Sequence, residues 1–166
     1  ELNQQMILHF QNKEYEQALE LISREGSGFP KERPLVDYWM MCSAARLDNR
    51  ALVYQVAEKC LSYGLWYGEM MWRMTPSFQG LQGDTGFERI VAASLALQEK
   101  DFPPKEQVIL KYLPEKISDN SPVLIALHGN QSTASSTLPF WQASLSKGYV
   151  LAAPQSSQAM FKGAYI

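Results

Sequence analysis

The stretch LIALHGNQST, residues 124–133, decides how the second half of the chain is interpreted. Four apolar residues lead directly into His128-Gly129, and small polar residues come next. An apolar run that ends this abruptly is typical of a buried β-strand that opens into a loop. We therefore expect a strand over 122–128 and a loop that carries function immediately after it.

Two further strands are predicted on either side of this stretch. QVILKYL (107–113) comes before it and YVLAAPQSS (149–157) comes after it, and both are apolar runs rich in strand-forming residues. Pro139 suits the first turn of an intervening helix that runs to about Lys147, and Gly148 suits the end of that helix. Since the strands are apolar on both sides, we expect a sheet that is covered on both faces.

The first hundred residues have the periodicity of amphipathic helices instead. Apolar side chains recur at helical spacing over 2–24 and again over 36–61, which predicts two helical hairpins. A shift of 34 residues superimposes apolar positions of the two hairpins: Met6 on Met40, Phe10 on Ala44, Leu19 on Val53 and Ile22 on Val56. Because 34 residues is the length of a tetratricopeptide repeat, this region resembles a module of that type.

A third, less regular helical unit follows this pair. Residues 66–74 and 78–100 have helical character, and Thr85 and Glu88 have the spacing of a capping box. KDFPPKE at 100–106 then predicts a linker, because consecutive prolines favour extended chain. The fold class expected is therefore α+β: an all-α, tetratricopeptide-like module at 1–102, and an incomplete three-layer α/β segment at 106–166.

Composition excludes several classes of function. The net charge is −2 without a basic stripe, which argues against nucleic acid as a partner. No apolar run is long enough to span a bilayer, and we expect a cytoplasmic protein. Cys42 and Cys60 are expected to be buried thiols in a reducing compartment. With only two histidines, placed far from the cysteines, neither a metal site nor a cofactor is expected.

The order strand, His-Gly, polar loop, helix, strand ending in APQS resembles the first part of an α/β-hydrolase of the phospholipase/carboxylesterase group. The resemblance covers about residues 106–166. It implies a serine hydrolase that acts on a small carboxylic ester. In such enzymes backbone N–H groups stabilise the tetrahedral oxyanion, and one of these donors comes from the loop after the third strand.

The resemblance places the oxyanion loop at His128, Gly129, Asn130 and Gln131. Gly129 lets the backbone pass close to the substrate, and the amide of Asn130 is the first candidate donor, with Gln131 second. His128 is expected to brace the loop, because the catalytic base follows the nucleophile in chain order.

No catalytic residue is expected in this chain. It contains no G-x-S-x-G and no histidine after His128. Ser156 and Ser157 lack the flanking glycines and the following helix of a nucleophile elbow. We therefore expect 106–166 to stop before the nucleophile, so that the parent protein is the enzyme and this chain alone is inactive.

An alternative interpretation treats the helical repeats as the function and the α/β segment as a non-catalytic remnant. Repeat stacks bind peptides or proteins on concave surfaces. Trp39, Trp66, Tyr67 and Trp72 could line such a surface, although aromatic residues at helical spacing usually belong to a core. The strand 122–128 is also expected at the edge of its sheet, where free backbone groups would allow a homodimer through strand addition.

Overall fold

The computed structural model describes residues 2–101 and 108–165. Over these ranges the protein is α+β, with mostly helical structure and a few short strands in small sheets. The chain divides into two compact units, Glu1–Asp101 and Phe102–Ile166. The predicted linker lies outside the described residues from position 102 onward.

The first unit consists of helices arranged in successive hairpins. Its α-helices are α1 (Leu2–Gln11), α2 (Tyr15–Glu25), α3 (Arg33–Arg46), α4 (Arg50–Ser62), α5 (Glu69–Arg73) and α6 (Thr85–Asp101). Short 3-10 helices lie at Gly26–Gly28, Pro30–Glu32 and Pro76–Leu81. Each helix packs against the next along the chain in α1–α4, and α4 also packs against α6. Helical hairpins stacked in this way bury their apolar stripes against one another.

The buried positions show how the hairpins repeat. Ala18, Leu21 and Ile22 of α2 correspond to Val53, Val56 and Ala57 of α4, and these to Phe87, Ile90 and Val91 of α6. The first step is 35 residues and the second is 34. The predicted shift of 34 between the first two hairpins is therefore wrong by one residue. It paired half-buried Leu19, instead of buried Ala18, with Val53.

The ends of α1 and α3 agree with a step of 35 residues, because both close with the same six-residue motif. Lys13 and Asp48 take left-handed backbone conformations, with φ of 61° and 54°. The next residue in each case donates its N–H to a carbonyl five residues back, from Glu14 to His9 and from Asn49 to Ala44, both over 2.9 Å. This is the Schellman helix end, and its two copies lie 35 residues apart.

Helix α6 begins differently from the prediction. Asp84, not Thr85, is the capping residue, and its carboxylate accepts hydrogen bonds from the amides of Gly86 (2.8 Å) and Phe87 (3.2 Å). Glu88 does not close a capping box with Thr85. Its carboxylate binds the Arg73 guanidinium in a bidentate pair at 2.6 and 2.8 Å. Asp outcompetes Thr as a cap because its carboxylate can accept from two amides.

The aromatic residues of this unit form its core. Trp66, Tyr67 and Trp72 are buried, and only Trp39 is half-buried, with its indole N–H donating to Asn3 Oδ1 at 2.8 Å. Ser94 holds α6 to this cluster, because its hydroxyl donates to the Tyr67 carbonyl and accepts from the Tyr67 amide, both at 2.9 Å. The three buried aromatics therefore line no binding surface.

Both cysteines are free and buried, as predicted. Burial raises the pKa of the Cys42 and Cys60 thiols to about 12. Both side chains are therefore protonated thiols near neutral pH. The Cys60 thiol donates to the Asp37 carboxylate at 3.5 Å and accepts from the Tyr63 hydroxyl at 3.4 Å.

The second unit is built on a three-stranded mixed sheet. Its strands are β1 (Ile109–Tyr112), β2 (Val123–Ile125) and β3 (Val150–Pro154), in the order β1-β3-β2. β3 pairs antiparallel with β1 and parallel with β2. A small hairpin of β4 (Ala159–Phe161) and β5 (Ala164–Tyr165), which the sequence analysis did not predict, follows β3. β2 lies at the edge of the three-stranded sheet, as expected for 122–128.

Only one face of this sheet is covered by the described residues. Leu151 and Ala153 of β3 are fully buried, whereas Val123 and Ile125 of β2 are 61% and 68% exposed. The expectation of a sheet covered on both faces, in three layers, is therefore not met here. The apolar sequence pattern predicted the strands correctly. The described residues contain no layer that covers the second face of the sheet.

The helix between β2 and β3 also begins earlier than predicted. α7 (Ala134–Trp141) starts at a capping box formed by Thr133 and Ser136, and Pro139 lies inside it instead of in its first turn. A 3-10 segment, Gln142–Lys147, continues the helix. This segment ends at Gly148, as predicted, and Gly148 has a φ of 82°. Hydroxyl capping at 133–136 thus decided the start of the helix, and proline did not.

Membrane-spanning helices and metal clusters are both absent from the described ranges. None of the helices in 2–101 and 108–165 has the length and apolarity needed to cross a membrane. Over the same ranges, His, Cys, Asp and Glu side chains do not gather in groups of three or more that could hold a metal ion.

The compactness of the first unit leads to a prediction about the fragment 1–102. We expect it to fold by itself, because its apolar stripes pack within consecutive hairpins. Circular dichroism during heating should show a helical spectrum that is lost in one cooperative transition. A random-coil spectrum, or helix that melts without a cooperative transition, would contradict this expectation.

A second prediction concerns the left-handed residue at the end of α1. Lys13→Gly should raise the free energy of unfolding by about 0.5–1 kcal/mol, because glycine lacks the Cβ that disfavours this conformation. Lys13→Ala, which keeps the Cβ, should stay within about 0.5 kcal/mol of the wild type. Urea unfolding of both variants measures the difference, and equal stability of the two would refute the assignment.

Candidate functional site

The predicted oxyanion loop connects the end of β2 to the start of α7. Beyond the last residue of β2, the Ala126 amide still donates to the Ala152 carbonyl at 2.9 Å, so the pairing with β3 continues for one residue. The chain then leaves the sheet at Leu127. Since β2 and β3 are parallel, this loop starts at the same edge of the sheet at which β3 ends.

His128 connects the loop to the residues that follow β3. Its Nε2 lies 3.0 Å from the Ser156 amide nitrogen, and its Nδ1 lies 3.0 Å from the Gly129 carbonyl oxygen. A backbone amide only donates and a carbonyl only accepts, so the ring is neutral and carries its proton on Nδ1. His128 therefore links Gly129 of the loop to Ser156 after β3, through both of its ring nitrogens.

Gln155 makes a second connection at the same place, and the sequence analysis did not identify it. Its backbone amide donates to the Val108 carbonyl (2.8 Å), and its side-chain Oε1 accepts from the Ala134 amide (2.9 Å). The Nε2 of the same side chain lies 3.0 Å from His128 Nε2. One residue thus joins three segments: the start of β1, the start of α7 and the loop.

The two candidate oxyanion donors differ in this structure. The Gln131 amide already donates to the Tyr165 carbonyl at 2.7 Å, and Gln131 has a left-handed backbone with φ of 61°. Asn130 is exposed, and its amide has no hydrogen-bond acceptor among the described residues. Of the two, only the Asn130 amide is therefore free to bind an oxyanion without breaking an existing hydrogen bond.

A shallow pocket of about 250 Å³ lies beside this loop. It is lined by Leu127, His128, Pro154, Gln155 and Ser156. The Leu127 side chain is 73% exposed, which gives the pocket an apolar wall next to polar groups.

The nearby serines have no catalytic partner. His128 bonds the backbone amide of Ser156, and the Ser156 hydroxyl accepts instead from the Gln158 amide at 3.1 Å. In residues 2–101 and 108–165, no serine hydroxyl is hydrogen-bonded to a histidine. A nucleophilic serine needs an adjacent base, and the site provides none.

Gln155 could have been suspected from its position. It is a polar residue near the end of a predicted strand, at the edge where loops carry function. Its three contacts, however, are to Val108, Ala134 and His128, which are distant in sequence. No local spacing predicts such contacts.

Comparison with known proteins gives similarity of fold only. No family model matches the chain, and no curated protein matches it. The solved structure of an uncharacterized protein from Bacillus cereus is similar, with a TM-score of 0.56 and 21% identity. The similarity covers 99% of this chain but 53% of that protein, so the chain spans about half the length of the structure it matches.

The geometry predicts that the 166-residue chain alone has no esterase activity. It should neither hydrolyse short-chain p-nitrophenyl esters above background nor react with a fluorophosphonate probe, because no serine is activated. Mass spectrometry after incubation with the probe tests this directly. Stoichiometric labelling of Ser156 or Ser157, abolished by the matching alanine variant, would refute the prediction.

Proposed function

We propose that this chain is the N-terminal part of a serine hydrolase that cleaves carboxylic esters, to which it contributes the oxyanion loop. The observation that carries the proposal is the backbone amide of Asn130, an exposed residue whose N–H has no acceptor among the described residues, in a loop that His128 contacts. Stabilisation of a tetrahedral oxyanion requires a positioned N–H group that is not already engaged in another hydrogen bond.

The topology of the sheet supports this proposal. In the α/β-hydrolases that 106–166 resembles, the fourth strand lies between the second and the third. β1, β2 and β3 have this arrangement if they are taken as the second, third and fourth strands, since β3 lies between the other two. The loop after the third strand, which supplies an oxyanion donor in those enzymes, is then the loop of His128–Gln131.

In the proposed enzyme, the catalytic groups are divided between this chain and a further segment of the same domain. As negative charge develops on the carbonyl oxygen, one positioned N–H donor stabilises it by roughly 3–4 kcal/mol. Asn130 provides that donor. The nucleophilic serine, the second donor next to it, and the acid and base are proposed to lie in a further segment of the domain.

The uncovered face of the sheet agrees with a larger domain. Apolar side chains such as Val123 and Ile125 are more than half exposed on one side of β2. Large apolar surface of this kind normally marks an interface. In the proposed complete domain further helices cover that face, and a fifth strand pairs with the free edge of β2.

A second candidate function rests on the helical repeats of the first unit. The buried positions recur after 35 and then 34 residues, which is the spacing of modules that bind peptides or proteins. Peptide display against the fragment 1–102, followed by titration of a selected peptide, would test this function. Saturable binding that the unfolded fragment lacks would support it, and failure to select any peptide would count against it.

The hydrolase proposal predicts a specific effect of removing one N–H group. In the protein expressed from its complete gene, Asn130→Pro should lower kcat for p-nitrophenyl esters by roughly 10²–10³, because proline has no amide hydrogen. Asn130→Ala is the matched control, since it removes the side chain but keeps the backbone donor. Its kcat should stay close to that of the wild type.

Three results would contradict the proposal. One is the absence of esterase activity in the complete protein. The second is an Asn130→Pro variant that is folded, by its amide NMR spectrum, and fully active. The third is an equal loss of activity in Asn130→Ala, which would assign the effect to the side chain and not to the backbone donor.

A further inference from the structure

We propose that Gln155 is a positioning residue that, together with the Ser156 amide, selects the tautomer of His128 and thereby holds the loop that presents the Asn130 amide. The catalytic part of this inference rests on the proposed function, whereas its structural part does not. Gln155 touches no reacting atom and acts only through His128 and through the start of α7.

The orientation of the Gln155 side-chain amide follows from its partners. The Ala134 amide can only donate, so the Gln155 atom 2.9 Å away from it must be the acceptor Oε1. The NH₂ group of the same side chain then faces His128 Nε2 at 3.0 Å. The side chain is therefore a donor toward the histidine, and exchanging its two ends would break both contacts.

Two donors converge on one ring nitrogen. His128 Nε2 receives the side-chain NH₂ of Gln155 and the backbone N–H of Ser156, each at 3.0 Å. A proton on Nε2 would point at both of them. The alternative tautomer and the charged imidazolium both carry that proton, so both would lose these hydrogen bonds. Gln155 thus favours the neutral ring with its proton on Nδ1.

The selected tautomer determines what the other ring nitrogen does. Nδ1–H donates to the Gly129 carbonyl at 3.0 Å, in the peptide group that contains the Asn130 nitrogen. The hydrogen bond therefore restrains the orientation of the peptide plane whose N–H is the candidate oxyanion donor. If the ring loses its Nδ1 proton, this restraint is lost and the Asn130 N–H becomes free to rotate.

The most informative variant is Gln155→Glu, which has nearly the same shape but replaces the NH₂ donor with an acceptor. A carboxylate beside Nε2 favours a proton on that nitrogen. Gln158→Glu is the matched control, because it makes the same chemical change three residues away, at an exposed side chain. Gln155→Met removes the hydrogen-bonding groups but introduces no charge.

The experiment is ¹⁵N NMR of the histidine rings in the 166-residue chain. The sequence holds only two histidines, so a His9→Asn variant assigns the ring signals of His128. We expect the wild type and Gln158→Glu to show protonated Nδ1 and unprotonated Nε2. Gln155→Glu should show protonation of Nε2, and the amide signals of Gly129, Asn130 and Gln131 should shift in both Gln155 variants.

Either of two spectra would overturn the inference: a wild-type ring protonated on Nε2, or a ring and loop that do not change in Gln155→Glu. In the complete enzyme, both Gln155 variants should also lower kcat roughly 10- to 100-fold with little change in KM. Unchanged kcat in a variant with an altered tautomer would refute the catalytic part. The NMR outcome does not depend on activity, so a failure of the hydrolase proposal is recognised separately.

Discussion

Strand β3 is the element on which the second unit depends. It pairs with β1 on one side and with β2 on the other, so the relative positions of β1 and β2 are both set by it. Hydrogen bonds beyond the regular strands extend this pairing, from Val150 to Pro122 and from Gln155 to Val108, each at 2.8 Å. Because β2 runs parallel to β3, the chain leaves both strands at one edge of the sheet. This constraint brings together His128 and Gln155, which lie 27 residues apart in sequence.

The arrangement at that edge is stabilised by polar contacts whose donors and acceptors all match. His128 contacts the Gly129 carbonyl in the loop and the Ser156 amide after β3. Gln155 contacts the Ala134 amide at the start of α7 and the Val108 carbonyl before β1. Such a network is rigid only when every member has its partner, since an unpaired polar group inside it is costly. These contacts restrain the peptide group between Gly129 and Asn130. An enzyme needs such preorganised donors, because they require no rearrangement as charge develops on the substrate.

Sequence patterns predicted the parts of this fold that depend on local chemistry. The apolar runs located β1, β2 and β3 because branched residues favour strands, and Gly148 marked a helix end because it takes a positive φ. Features that depend on which of several neighbouring residues makes a contact were predicted at the wrong position. Asp84 caps α6 in place of Thr85, and the repeat step between the first two hairpins is 35 residues, as the matching ends of α1 and α3 also show. Contacts across the sheet edge leave no local signal in the sequence, so the hydrogen bonds that Gln155 makes to Ala134 and His128 were not predicted.

The central claim is that the Asn130 amide stabilises an oxyanion, and one structure would test it most directly. The complete protein should be crystallised after reaction with a phosphonate ester probe, whose phosphonyl oxygen occupies the position of the oxyanion. The account predicts a covalent adduct on a serine outside residues 1–166, with the phosphonyl oxygen about 2.7–3.1 Å from the Asn130 nitrogen. An adduct whose oxygen is bound elsewhere, or a protein that forms no adduct, would contradict it.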